Sequence, residues 1–425
     1  MNIQVIITII DFLLWLIIAA NVMYVLFFAL ASHLPKKEHL PSAILRPFGS
    51  KRAELERRHQ TSDIRHQTSF LVLIPAYHED AVIINTVESF LQQDYPKDLY
   101  HLCVISDHME ATTNEQLAAL PITLLQPAFD NSNKAKALQY AISSISLQPS
   151  AIYDYVVILD ADNIVAADFL SRLSQIARPN IAIQCHRTAK NANNDIAALD
   201  GLSEEINNSI FRKGHNRIGM SSALIGSGMC FNYEWFKENV ANLDSAVEDR
   251  ELEALLMKQG IFIQYAEDIH VYDEKVSNGD NFQRQRLRWM TGQMQALIRM
   301  LPCIPKAITT GNINYIDKTI QQALIPRSIL LVLNPLLALL TLFAYSLLSL
   351  PSNLFHLPSY IFPLKWWIIM IIMIAAIIMA IPAPLRTKAL LNKVLTLPQL
   401  VWYMLKNTFH IKLRNKEFIH TTHQQ

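Results

Sequence analysis

Hydrophobic and polar positions divide this chain into three regimes. In the first, residues 5–32 (VIITIIDFLLWLIIAANVMYVLFFALAS) carry one charge, Asp11, over a length sufficient to cross a bilayer as a helix. No basic start or small-residue cleavage site marks this run as a signal peptide, which predicts a retained span. In the second, apolar runs of strand length alternate with helical stretches. SFLVLIPAY (69–77) leads into AVIINTVESFLQQ (81–93), LYHLCVISD (99–107) is the next strand, and DYVVILDAD (154–162) follows the helical NKAKALQYAISSI. That alternation predicts an α/β domain with a mostly parallel sheet and helices on both faces. In the third, long apolar runs return at 328–350 and 364–385, the latter with Trp366 and Trp367 placed as interfacial anchors.

The expected organisation is an N-terminal transmembrane helix (1–32), a basic cytoplasmic linker (33–66), a soluble α/β domain (67–300), an interfacial connector (301–327), two further transmembrane helices (328–350 and 364–385) and a basic tail (386–425). Lys and Arg set the orientation. Lys36, Lys37, Arg46, Lys51, Arg52, Arg57, Arg58 and Arg65 crowd the linker and more follow Ile381, whereas 351–362 has none. By the positive-inside rule the α/β domain and the C-terminus are cytoplasmic, giving a multi-pass protein of the inner membrane. A formal net charge of +1 argues against nucleic acid as a partner. The cysteines at 103, 185, 230 and 303 form no CxxC, so neither a disulfide framework nor a zinc site is expected.

Ligands of such sheets bind beyond the carboxyl ends of the strands. PAYHED, Asp107 and DAD all fall there. Asp160 and Asp162 are hard oxygen ligands of the kind that hold Mg²⁺ or Mn²⁺ together with substrate phosphates; the bland alternative is an acidic turn. Glu248 and Asp249 precede a helical run, where they serve either as favourable charges at a helix start or as a general base. In FQRQRLRWMTGQ (282–293), Arg286 and Arg288 suit a diphosphate and Trp289 a sugar face, unless this is a basic helix skimming the membrane. His270, alone in AEDIHVYDEK, is more often structural than a metal ligand.

Taken in order, PAYHED, Asp107 in VISDH, NKAKAL, DAD, GSGMCF (226–231), VED and QRLRW (285–289) resemble the membrane-bound family 2 glycosyltransferases, the group of the cellulose, hyaluronan, chitin and poly-N-acetylglucosamine synthases. The resemblance spans residues 71 to 293 and implies a GT-A-type, Rossmann-like fold. It implies that Pro75, Tyr77, Glu79 and Asp107 hold the nucleotide of a sugar donor, uridine by expectation, and that Lys134, Asp160, Gln285 and Arg288 complete the donor site. Asp162, with Asp160, would bind Mn²⁺ or Mg²⁺. Asp249, with Glu248, would be catalytic. Gly226, Ser227, Gly228, Phe231 and Trp289 would meet the acceptor. The implied activity is inverting transfer from a UDP-sugar, forming β-linkages in a cell-surface or capsular polysaccharide. Transfer of a single sugar to a lipid-linked acceptor is the alternative, as is an inactive synthase subunit. SDHME stands where the family carries paired aspartates, VED where it carries TED, and three spans are few for export, which brings in a second copy or a secretion partner.

Overall fold

The computed structural model describes residues 3–36, 67–147, 153–244, 247–276, 278–348, 361–388 and 402. Eight strands make one sheet: β1 (Phe70–Tyr77), β2 (Tyr100–Asp107), β3 (Thr123–Leu125), β4 (Tyr155–Ile158), β5 (Ile164–Val165), β6 (Ile181–Ala189), β7 (Met229–Asn232) and β8 (Phe262–Asp273), in the order β3-β2-β1-β4-β7-β6-β8-β5. β1 runs parallel to β2 and β4, β2 to β3, and β6 to β8. The sheet is more mixed than the alternation predicts, because β7 is antiparallel to both β4 and β6, and β5 to β8. β7 and β5 span only four and two residues, too short for a pattern that encodes direction.

Period-2 geometry sends successive residues of β1 to opposite faces, and both are covered. Leu71 and Leu73 pack under α4 (Lys134–Ser146), with Leu138, Ala141 and Ile145. Phe70, Val72 and Ile74 pack on the other side against Ile83, Val87 and Phe90 of α2 (Ile83–Phe90), the helix that precedes α3 (Ala111–Ala118). Each such side chain stabilises the fold by roughly 1.5–3 kcal/mol, and two-sided burial explains why these strands read as continuous apolar runs.

On the other half of the sheet, α5 (Phe169–Ile176) precedes β6, and α6 (Asp195–Asn207) runs into a π-helical turn (Asn208–Gly214) and α7 (His215–Ile218). α8 (Tyr233–Val240), α9 (Glu248–Gln259) and α10 (Gly279–Met300) follow. Residues 301–327, the expected interfacial connector, are largely helical. α11 (Ile304–Thr310) and α12 (Ile313–Ala323) dock on the α/β domain, with Tyr315 fully buried in its core.

α1 (Ile3–Ala31), α13 (Arg327–Leu348) and α14 (Ile361–Ala380) pack together through Ile18, Val22, Leu330, Ala338, Trp366 and Met373. Asp11 is ion-paired with Lys365 and accepts from Trp366 Nε1 at 2.9 Å, so the charges in these apolar segments satisfy one another. Further along α1, the Phe28 carbonyl lies 2.3 Å from where a Cβ on Gly214 would stand, so only glycine lets α1 approach the π-helical turn this closely.

The expectation of three independent spans needs correction. Among the described residues, only Thr8–Ala31 is long and apolar enough to cross a membrane by itself. Ile313–Ala323 and Arg327–Phe343 qualify only as a pair bent by 59°, and Leu364–Ala380 is shorter. α14 stops ahead of the expected residue 385 because Pro382 and Pro384 follow it, and proline cannot continue the helical hydrogen-bond ladder. Most of the 33–66 linker and of the 386–425 tail lies outside the described residues.

Candidate active site

β1, β2 and β4 end at one edge. The register sets Tyr77 beside Asp107, and Leu73 beside Ile158, two residues before Asp160. Asp107 is buried, and its Oδ1 is 2.6 Å from His108 Nδ1. His78 and His108 both have left-handed backbones, with φ of 54° and 55°, an uncommon conformation for residues other than glycine. These two sharp turns leave Tyr77 and Asp107 at the rim of a cavity of about 860 Å³.

Lys134 is the hub of the floor. It opens α4, whose start is capped by Asn133 Oδ1 accepting from the Lys136 backbone N–H at 2.8 Å. A cation is unfavourable at a helix N-terminus, and carboxylates offset it here. Lys134 Nζ donates to Asp160 and to the Gly226 carbonyl at 2.6 Å, and lies 3.5 Å from Glu248 Oε1. Burial works against the charged amine, yet Asp160, Glu248 and Asp249 outweigh it and raise its proton affinity. Burial likewise opposes ionised Asp160, but Lys134, Arg187 and Arg288 hold its carboxyl below the usual range. Glu248 behaves oppositely. Burial pushes it up to about 7, with Lys134 resisting and Asp249 adding to the rise.

Asp162 is oriented from two sides, accepting from the Asn163 amide at 3.0 Å and from the Glu274 backbone N–H at 2.8 Å. Each carboxylate oxygen has further acceptor capacity. Among the described residues no group of three or more His, Cys, Asp or Glu could hold a metal ion. Asp160 and Asp162 are the two hard oxygen donors at this edge, and a cation held by them would need its remaining ligands from water or a bound molecule. His270 pairs with His186, ring centroids 4.7 Å apart, rather than with these carboxylates.

α10 carries the QRLRW residues. Gln285, Arg288 and Trp289 line the cavity. Arg286 is ion-paired with Asp200 on α6, and its guanidinium carbon lies 4.3 Å from the centroid of the Trp289 ring, so one side of that ring is already covered. Close approach of α10 to the VED segment depends on Gly292. A Cβ there would stand 2.2 Å from Val247 Cγ1 and 3.1 Å from Val247 Cβ, so the β-branched side chain has nowhere to retreat. Gly292→Ala is expected to lower stability by about 1–3 kcal/mol, read as a lower melting temperature; an unchanged transition would show that α10 has slack.

Of the residues singled out in the sequence, Pro75, Tyr77, Glu79, Asp107, Lys134, Asp160 and Asp162 line the cavity, with Gly226, Glu248, Asp249, Gln285, Arg286, Arg288 and Trp289. The rest of GSGMCF is elsewhere. Ser227 is fully buried and hydrogen-bonded to Asn163, a Cβ on Gly228 would run into Val271 and Cys185, and the buried Phe231 stacks on Phe236 and lies tilted against Trp235. The sequence reading also passed over a buried network on β6 and α6. Arg187 and Arg212 share Glu204, each at 3.2 Å, and Arg187 and Lys275 share Asp273. Glu204 is held at about 2, since these cations overcome the upward push of burial. Polar residues within the strand-length run IAIQCHRTA, Arg187 among them, were the available signal.

The chain matches the model of glycosyl transferase family group 2 over residues 155–379 and that of glycosyl transferase family 2 over 71–238. It belongs to the family 2 group of glycosyltransferases. Among solved structures it is similar to the mannosyltransferase PcManGT from Pyrobaculum calidifontis in complex with GDP-Man and Mn²⁺, at 17% identity over 77% of this chain and 92% of that one, TM-score 0.43. It is also similar to S. aureus TarS 1–349 (15% identity, 80% and 89% covered, TM-score 0.38) and to the same protein with UDP-GlcNAc (14%, 80% and 89%, TM-score 0.37). No curated protein matches the sequence.

Proposed function

We propose that this chain is a membrane-attached inverting glycosyltransferase that uses a nucleotide-sugar donor. The observation that carries the reading is the convergence of Asp160, Asp162, Lys134, Glu248 and Asp249 with Arg288 on one cavity at the carboxyl edge of the sheet. The nucleotide sits at Pro75, Tyr77, Glu79 and Asp107. Its diphosphate meets Lys134, Gln285 and Arg288, with Asp160 facing the donor. A divalent cation at Asp162 would neutralise charge developing on the diphosphate. Asp249 accepts the proton of an acceptor hydroxyl as that oxygen attacks the anomeric carbon. The bond from that carbon to the diphosphate breaks, and the nucleoside diphosphate leaves with the electron pair. From an α-linked donor, inversion gives a β-linkage.

Attachment to the membrane rests on α1 with α13 and α14 beside it. All three present large apolar side chains outward, among them Ile10, Leu13, Phe27, Leu339, Phe343, Ile368 and Ile371. With the α/β domain on the cytoplasmic side, the product is a surface glycan or its lipid-linked precursor.

The test is release of nucleoside diphosphate from a panel of sugar nucleotides by the purified protein, with Mn²⁺ or with chelator. Release from one donor, dependent on metal and reduced about 10²-fold or more in Asp162→Ala, is expected. Release unaffected by chelation, or none from any donor in the presence of membrane extract, would overturn the reading.

The same assay carries a pH signature. Ionised Glu248 supports the charged form of Lys134, the cation assigned to the diphosphate. Because Glu248 loses its proton at about 7, kcat/KM is expected to rise as pH passes through that value, and Glu248→Gln to remove the inflection. A wild-type profile flat across this range would contradict it.

A further inference from the structure

One stripe of α6 and one of α10 line the cavity together. On α6, Asp200, Glu204 and Asn207 follow one another at helical spacing, and each takes up an arginine. Asp200 pairs with Arg286, Glu204 with Arg187 and Arg212, and Asn207 Oδ1 accepts from Arg327 at 2.7 Å. Three of these arginines tie α6 to β6, to the π-helical turn and to α13. Arg286 does something else as well. Phe282, Arg286 and Trp289 stand at i, i+4 and i+7 on α10, so they share a face. The Arg286 guanidinium carbon lies 4.8 Å from the centroid of the Phe282 ring and 4.3 Å from that of Trp289.

A guanidinium is planar, so it stacks on a ring and pairs with a carboxylate at once, which an ammonium group cannot do. Asp200, 4% exposed, therefore fixes the plane that lies over Trp289. With one face of the half-buried indole covered, the other is what it can present to the cavity. A half-covered aromatic ring suits the apolar face of a saccharide. One turn before it, the buried amide oxygen of Gln285 has no hydrogen-bond partner among the described residues. A sugar hydroxyl can donate to that oxygen while the amide N–H groups remain for a diphosphate. An indole loose in the cavity would lose torsional freedom when a ligand stacked on it, and a clamp that orders it beforehand removes that cost.

We infer that Asp200 is a positioning residue for the acceptor: through Arg286 it holds Trp289 in one orientation, with one face turned to a saccharide ring. This rests on the transferase reading and names what orders its acceptor contact. Asp200 itself touches no substrate. A purely structural tie between α6 and α10 would act differently. Arg286→Lys keeps a cation for Asp200 but not the planar stack, so a tie survives that substitution and a clamp does not.

The full chain in neutral-lipid nanodiscs would carry 5-fluorotryptophan, with the Trp289 fluorine resonance identified by its loss in Trp289→Phe. Cellotetraose, N-acetylated chitotetraose and a nucleoside diphosphate would be titrated separately. At least one saccharide is expected to shift the Trp289 resonance of the wild type. Asp200→Asn and Arg286→Lys are each expected to shift or broaden that resonance before any ligand is added. Both should weaken the saccharide about three- to tenfold, the effect of ordering one side chain in advance, and Asp200→Asn should leave nucleoside diphosphate binding unchanged. Thermal melts report whether each variant is folded, and if Asp200→Asn is not, Arg286→Lys decides. An unaltered Trp289 resonance in a folded variant, saccharide affinity equal to that of the wild type, or no saccharide acting on Trp289 overturns the inference. If nucleoside diphosphate binds in any of these cases, the positioning role falls and the transferase stands. If no nucleoside diphosphate binds, the transferase reading itself falls.

Discussion

Asp249→Asn is expected to lower kcat about 10²–10⁴-fold, the range general-base catalysis supplies, while the affinity for nucleoside diphosphate stays within a few-fold. The substitution keeps the shape of the side chain and removes its capacity to take a proton. Asp249 stands in the first turn of α9, and its Oδ1 accepts from the Arg250 backbone N–H at 2.8 Å, an interaction the Asn oxygen can reproduce. What the fold loses is one favourable charge at a helix start, about 0.3–1 kcal/mol, so the melting temperature should barely move. A fall in kcat and kcat/KM together identifies an interaction made in the transition state. The rival base is Glu248, but it is buried and already beside Lys134. Should Asp249→Asn turn over normally while Glu248→Gln is dead, the roles assigned to the two acids are reversed.

How much of this was legible follows from which interactions are local. DAD stands out because a buried strand is interrupted by acids, and it falls at the sheet edge with Asp107 and PAYHED. NKAKAL reads as the start of a helix, and its Lys134 meets Asp160 at that edge only through the fold. GSGMCF is different. Sequence order placed its residues together, but β7 runs antiparallel between β4 and β6, and only Gly226 reaches the cavity. Arg286 reads like a diphosphate ligand beside Arg288, yet its partner is Asp200, 86 positions away, and no spacing rule links the two. Arg327 reads as the flanking charge of an apolar run, and its place in the cavity follows only from the docking of α12 and α13 against α6. The apolar runs were visible as runs. The number of membrane crossings was not, because the bend between α12 and α13 and the prolines after α14 depend on how the helices pack and end.

The largest effect on stability is expected at Lys134. Lys134→Met preserves length and most of the apolar contact of the stem in α4, but it removes the cation that lies against both Asp160 and Glu248. Removing one partner of a fully buried ion pair costs about 3–5 kcal/mol; the Lys134 and Asp160 side chains are 17% and 35% exposed, so water screens part of the loss and about 1.5–3 kcal/mol is expected. For a domain of this size each kcal/mol lowers the melting temperature by roughly 2–4 °C, a drop of roughly 5 °C or more. The effect must depend on pH in one direction. In the wild type, Asp160 is held below its usual range by Lys134, so its contribution is present above its unfolded-state value and is lost as pH falls through its folded one. Without the amine, Arg187 and Arg288 still favour ionised Asp160 against burial, whereas Glu248 is left to burial and to Asp249, which raise it. Glu248 then favours folding while protonated and loses that contribution as pH rises through its folded value. The deficit of Lys134→Met should accordingly be greatest above about 7, where Glu248 is ionised in the wild type, and shrink in acid. Melts at mildly acidic and mildly alkaline pH decide the matter. A deficit independent of pH would mean that Lys134 acts through packing, and the charge balance assigned to the floor of the site would have to be abandoned.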